Sequence, residues 1–155
     1  MKSKLNLALC TLAIGILFTQ CSGNKEATKD DAPPPKRMVT KAVDPMDNKG
    51  IGPVKAITLN EAIDETMAEE GKVIFDKLCT SCHKVTKRFI GPSPKDILKR
   101  RSPEWVMNMI MNPDVMILED PIAKQLLMEA NGAPMSNQNV SEADARKILE
   151  YFRTL

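Results

Sequence analysis

The residues Cys79-Thr80-Ser81-Cys82-His83 place two nucleophilic thiols and an imidazole within one turn of chain. This spacing suits three chemistries: a dithiol redox pair, half of a zinc site, or covalent attachment of haem. In the last, the thiols add across the two vinyl groups and the adjacent histidine reaches the iron. A redox pair of the thioredoxin kind wants a neighbouring strand-helix-strand unit, and zinc wants two further Cys or His ligands. The sequence supplies neither, because the remaining cysteines, Cys10 and Cys21, both lie in the N-terminal leader and His83 is the only histidine. The motif therefore predicts one covalent haem c on Cys79 and Cys82, with His83 as an axial ligand.

A single histidine excludes bis-His ligation within the chain, leaving methionine, lysine, water or an open position opposite His83. Ten methionines are present. Met1 initiates the chain, and Met38 and Met46 precede any periodic segment. Met67, Met107, Met109 and Met111 fall on helices, where methionine ordinarily packs a core. Met135 differs, since it lies in the loop Asn131 to Asn139 just ahead of the last helix, where a ligand can be presented from outside regular structure. Met135 is the expected sixth ligand, with Met128 and Met116 as alternatives. Pairing a thioether with histidine favours Fe(II) and raises the reduction potential.

The elements that must position these residues are helical. From Asn60 to Leu155 the apolar residues recur at helical spacing, with no strand-like alternation long enough for a sheet. Five helices are expected. The first spans Asn60 to Leu78, with Ile63, Met67, Gly71, Ile74, Phe75 and Leu78 on one face. A short one covers Pro94 to Arg100. The third opens on Ser102-Pro103 and stops before Asn112-Pro113. The fourth starts at Asp120-Pro121 and ends at Asn131-Gly132, and the last runs from Ser141 to Leu155.

The ordered set of Gly71-x-x-x-Phe75, the CxxCH motif at 79 to 83, Gly91-Pro92, Pro134-Met135 and a final helix bearing Ile148 and Tyr151 resembles the class I cytochromes c, the small bacterial monohaem proteins. The resemblance covers residues 60–155 and implies an all-α cytochrome c fold of about five helices around the haem. It implies that Gly71 lets the first and last helices cross, with Phe75, Ile148 and Tyr151 at the crossing. It also implies that the Pro92 carbonyl accepts the Nδ1 proton of His83. Trp105, by its indole N–H, and Arg101 are candidates to reach a haem propionate. Asn137 or Gln138 is placed to hydrogen-bond the Met135 sulfur. Two features depart from the family pattern: Ser136 stands where proline often follows the ligand, and the stretch from Asn112 to Asn131 is long.

Composition agrees with a cofactor-filled core, for aromatic residues make up only 4% of a chain that is 43% apolar. The formal charge of +2 comes from Lys2 and Lys4, because the rest of the chain balances. Without a basic surplus, nucleic acid is not an expected partner. Within the domain, residues 72–101 carry a balance of +7 and residues 102–155 one of −4. Lys77, Lys84, Lys87 and Arg88 thus surround the attachment segment, where they can steer an acidic partner.

Residues 1–20 read as a signal peptide: Lys2 and Lys4 precede an apolar run from Leu5 to Phe18 that is too short to span a membrane comfortably. Phe18-Thr19-Gln20-Cys21 resembles a bacterial lipoprotein processing site, with Phe18 and Gln20 departing from its usual residues. Lipidation of Cys21 would tether the protein to a membrane of the cell envelope or periplasm. Residues 21–59 are polar and broken by Pro33-Pro34-Pro35, Pro45 and Pro53, and are expected to form a disordered linker. The expected function is one-electron transfer between a respiratory donor and a terminal oxidase or reductase, such as nitrous oxide reductase, rather than enzymatic turnover. The alternative is a five-coordinate haem that binds a small gas or peroxide, which requires that Met135 not ligate.

Overall fold

A computed structural model describes residues 44–155, which contain five α-helices, one 3-10 turn and, among the described residues, no strand. The helices are α1 (Glu65–Leu78), α2 (Pro103–Met111), α3 (Pro113–Glu119), α4 (Pro121–Glu129) and α5 (Glu142–Arg153), and the 3-10 turn is Ile97–Lys99. The expected signal peptide, the lipidation site Cys21 and linker residues 21–43 lie outside the described residues.

Helices α1 and α5 cross at closest range, and the sequence shows why. A Cβ on Gly71 would lie 2.0 Å from the Lys147 carbonyl oxygen, so the backbones meet only because glycine is there. Phe75, Ile148 and Leu149 are fully buried at the crossing, and the Phe75 ring lies 5.6 Å from both Tyr151 and Phe152. The edge-to-face and tilted packing of three aromatics adds to the area they bury.

Several element boundaries differ from expectation, each for a local reason. Helix α1 begins five residues later than Asn60, with Asp64 as its N-cap accepting the Met67 N–H at 2.9 Å. The carbonyls of Asn60, Glu61 and Ala62 are instead committed to Arg153. Residues 94–100 form a single 3-10 turn rather than a helix, because Asp96 adopts a left-handed backbone with φ 56°. Asn112-Pro113 both stops α2 and starts α3, which was not expected. Proline at the first helical position favours a start there as it does at Pro103 and Pro121.

The linker expected to reach Leu59 does not include residues 44–59. These pack as an irregular strap against α2 and α3, with Val54 buried. Fully buried Asn108 holds the strap like a missing strand: its Oδ1 accepts the Val54 N–H at 3.0 Å, and its Nδ2 donates to the carbonyls of Val54 and Lys49 at 2.9 Å each. Ser102 Oγ donates to the Asn48 carbonyl at 2.6 Å, and the Met116 sulfur accepts the Ile51 N–H at 3.0 Å. Glycine permits this approach, since a Cβ on Gly52 would lie 2.2 Å from Asn108 Oδ1. Polar composition did not forbid packing because the helices satisfy the strap's backbone groups.

Candidate haem site

The attachment segment is shaped by the end of α1. Cys79 caps the helix, its N–H donating to the Phe75 carbonyl at 2.9 Å, and the N–H groups of Cys82 and His83 then fold back onto the Cys79 carbonyl at 3.1 and 2.9 Å. Both thiols and the imidazole thereby reach one wall of a cavity of about 270 Å³. Cys79 is half-buried, and burial, with Cys82 beside it, pushes its thiol up to about 11; Cys82 is exposed.

The His83 ring is fixed from behind. Its Nδ1 lies 2.8 Å from the Pro92 carbonyl oxygen, which can only accept, so Nδ1 carries the proton and Nε2 is left as the donor atom for a metal. Gly91 lies against the ring face, where a Cβ would be 2.3 Å from Cε1, and its N–H ties back to the Cys82 carbonyl at 2.9 Å. The hydrogen bond expected between His83 and Pro92 is present.

The structure separates the candidate methionines by whether they reach the cavity. Met135 lines the wall from the segment between α4 and α5. Met116 is fully buried and spends its sulfur on Ile51, while Met128 is 70% exposed and does not line the cavity. Met109, expected as a core residue of α2, also lines the wall. Asn137 Nδ2 donates to Asp114 Oδ2 at 3.3 Å, and Gln138 lines the cavity but donates to the Ser136 carbonyl at 3.4 Å. Neither side chain is committed to the Met135 sulfur.

Trp105 lines the cavity, but the expectation for its N–H requires correction. The indole Nε1 donates to Asp120 Oδ1 at 3.1 Å, inside the protein, and so is not directed to a propionate. Asp120 also caps α4 through the N–H groups of Ile122 and Ala123, and its Oδ2 accepts Asn48 Nδ2 at 2.6 Å. The cap was legible in Asp120-Pro121; the link from strap to indole carries no sequence signal. Arg101 stacks over Trp105 with its guanidinium carbon 5.4 Å from the ring centroid, and Nη1 donates to the Arg100 carbonyl. Burial, and then the neighbouring Arg100, lower its pKa.

These walls fit a haem on two counts. The cavity is faced by apolar side chains, among them Ile97, Val106, Ile110, Leu126 and Ile148, as a porphyrin face requires. Its one orphaned polar atom among the described residues is Arg101 Nε, which is buried without a partner and beside the cavity suits a carboxylate.

No curated protein matches the sequence. Among solved structures the chain is similar to a cytochrome c from Rhodothermus marinus, with 46% identity over 66% of this chain and 88% of that one and a TM-score of 0.64. It is similar to an engineered cytochrome c from the same organism at 45% identity, 66% and 89% coverage and TM-score 0.64. The engineered protein bound to a carbene intermediate matches at 45% identity, 66% and 88% coverage and TM-score 0.62. The family model for cytochrome c matches residues 68–155, a stretch that takes in the attachment motif, the cavity and the helix crossing. With over half of its length inside that match, the chain belongs to the cytochrome c family and carries a covalently attached haem c.

Proposed function

We propose that this cytochrome is a one-electron carrier whose iron is held between His83 and Met135, and that it works at a membrane surface outside the cytoplasm. The observation that carries the ligation is the shared cavity: the fixed His83 ring and Met135 line it together, while Met116 and Met128 do not, and Met109, which also lines it, sits within α2 whereas Met135 comes from the loop between α4 and α5. Haem c, when bound, supplies an iron that cycles between Fe(II) and Fe(III). The chain's residues do the rest. The Pro92 carbonyl orients the imidazole and raises its basicity, and the Met135 thioether favours the reduced state. Arg101 offers its unpartnered Nε–H to a propionate, and the apolar walls keep water from the iron.

The single CxxCH motif supports one haem, and the apolar leader followed by Cys21 supports export and lipid tethering. A respiratory donor on one side and a terminal oxidase or reductase on the other, such as nitrous oxide reductase, are the partners this reading names. Potentiometric titration of the purified protein tests it. A reversible one-electron couple with a low-spin spectrum in both states is expected, and a high-spin ferric spectrum would contradict ligation by both His83 and Met135. Cells fed labelled palmitate are expected to label the parent and not Cys21→Ala; labelling of both, or of neither, contradicts the anchor.

A further inference from the structure

The strap, residues 44–59, precedes the stretch shared with the family. From Lys49 to Leu59 it forms no helix or strand, and among the described residues no backbone N–H there donates to a backbone carbonyl. The strap therefore has no cohesion of its own. Polar side chains of the helical body hold it, namely Ser102, Asn108, Asn112, Met116 and Asp120, together with the packing of Val54. A segment attached in this way opens at a lower free energy than the helices beneath it.

One of these contacts joins the strap to the haem cavity. Asp120 is 1% exposed; its Oδ2 accepts Asn48 Nδ2 from the strap at 2.6 Å, and its Oδ1 accepts Trp105 Nε1 at 3.1 Å. Trp105 is part of the cavity wall. No lysine or arginine among the described residues forms a salt bridge with Asp120, although Arg101, stacked over the Trp105 ring, feels its charge. The strap thus covers a buried carboxylate that stands behind the wall. While it is covered, little water screens the charge; when the strap lifts, water does. The cavity itself stays shielded, because α2 turns Trp105, Val106, Met109 and Ile110 toward it and Asn108 toward the strap.

We propose that the strap is a redox-sensitive latch, held more firmly when the iron is Fe(III) than when it is Fe(II). The oxidised haem carries one more positive charge, and the covered Asp120 carboxylate attracts it more strongly than a water-screened one does. Coupling of this kind is reciprocal: the closed strap holds the reduction potential down, and an open strap lets it rise. The inference rests on the electron-carrier reading and adds a segment outside the haem cavity that responds to the state of the iron.

Native-state hydrogen exchange of the full holoprotein, oxidised with hexacyanoferrate(III) or reduced with ascorbate, tests this at the Ile51 and Val54 amides. These donate to Met116 and Asn108 and are freed when the strap opens. They are expected to exchange about fivefold faster in the ferrous protein, at the low end of ordinary coupling factors. Amides of α1 and α5 are not expected to share that acceleration, and Asp120→Asn is expected to remove it. Equal strap exchange in the two states, or faster exchange in the ferric one, overturns the proposal. So does a difference that survives Asp120→Asn. A second variant reads the reciprocal effect. Gly52→Val lifts the strap, since a Cβ there would lie 2.2 Å from Asn108 Oδ1. It is expected to shift the equilibrium about fivefold toward Fe(II), about 40 mV at 59 mV per tenfold, and to add nothing in an Asp120→Asn background. A potential that falls or stays put while the strap amides exchange freely counts against the latch. Failure of the electron-carrier reading shows separately, as a parent protein that the two reagents cannot cycle reversibly.

Discussion

Asp120→Asn tests the link between strap and haem cavity with almost no change of shape. Asp120 is 1% exposed, and its oxygens take four N–H donors: Trp105 Nε1 at 3.1 Å, Ile122 N at 3.0 Å and Ala123 N at 2.8 Å on Oδ1, and Asn48 Nδ2 at 2.6 Å on Oδ2. Asparagine keeps one oxygen for the first three donors and turns an NH2 group toward the NH2 group of Asn48. Flipping the Asn48 amide would relieve this, but its Oδ1 already accepts the Gly50 N–H at 2.8 Å. One charge-assisted bond is lost and three become neutral. With about 1.5–3 kcal/mol for a bond to a charged group and about 0.5–1.5 kcal/mol for a neutral one, the bonds alone account for about 4.5–7.5 kcal/mol; burying a neutral amide costs less than burying a carboxylate, which leaves a net loss on the order of 3 kcal/mol. Guanidinium unfolding of the holoprotein, followed by far-UV circular dichroism, reads it. The reduction potential should rise as well, because a negative charge is removed from the wall that Trp105 forms. A change in unfolding free energy below about 0.5 kcal/mol, the range of an ordinary surface substitution, would refute the reasoning.

Asn108→Ala strips three hydrogen bonds from the strap and leaves the buried Val54 backbone unsatisfied, so a loss of about 2–4 kcal/mol is expected. Hydrogen exchange at the Val54 amide should accelerate with it, and unchanged protection would contradict the clamp. Fully buried Glu150 is expected to govern acid stability. Burial alone would raise its pKa, but the Asp64 N–H, Arg146 and Arg153 together hold it below 4.5. A carboxyl whose pKa is depressed on folding contributes stability above its unfolded pKa and loses it as pH falls through the folded value. The parent should therefore lose stability as pH falls below about 4.5, and Glu150→Gln should be less stable at neutral pH with a flatter slope in that acid window. Parallel pH profiles for the two proteins would count against this role.

Much of the site was legible because its chemistry is local in sequence. Cys79, Cys82 and His83 are one turn of chain, and helix starts at Ser102-Pro103 and Asp120-Pro121 announce themselves by capping chemistry. Gly71 was readable only through family resemblance, which implied the crossing that its 2.0 Å approach to Lys147 explains. What stayed hidden depends on partners distant in sequence. Trp105 looked free to reach a propionate until Asp120, fifteen residues on, claimed its N–H. The strap carried the composition of a linker because its backbone is satisfied by Asn108, Ser102 and Met116 rather than by its own periodic pattern. Helix α3 is hard to read because Asn112-Pro113 signals a stop as readily as a start.

The central claim, iron held between His83 and Met135, is tested most directly by the far-red sulfur-to-iron charge-transfer band of the oxidised protein. The band is expected in the parent and in Met128→Ala, whose side chain is 70% exposed and away from the cavity, and is expected to vanish in Met135→Ala. A band that survives Met135→Ala, or that is absent from the parent, would contradict the account.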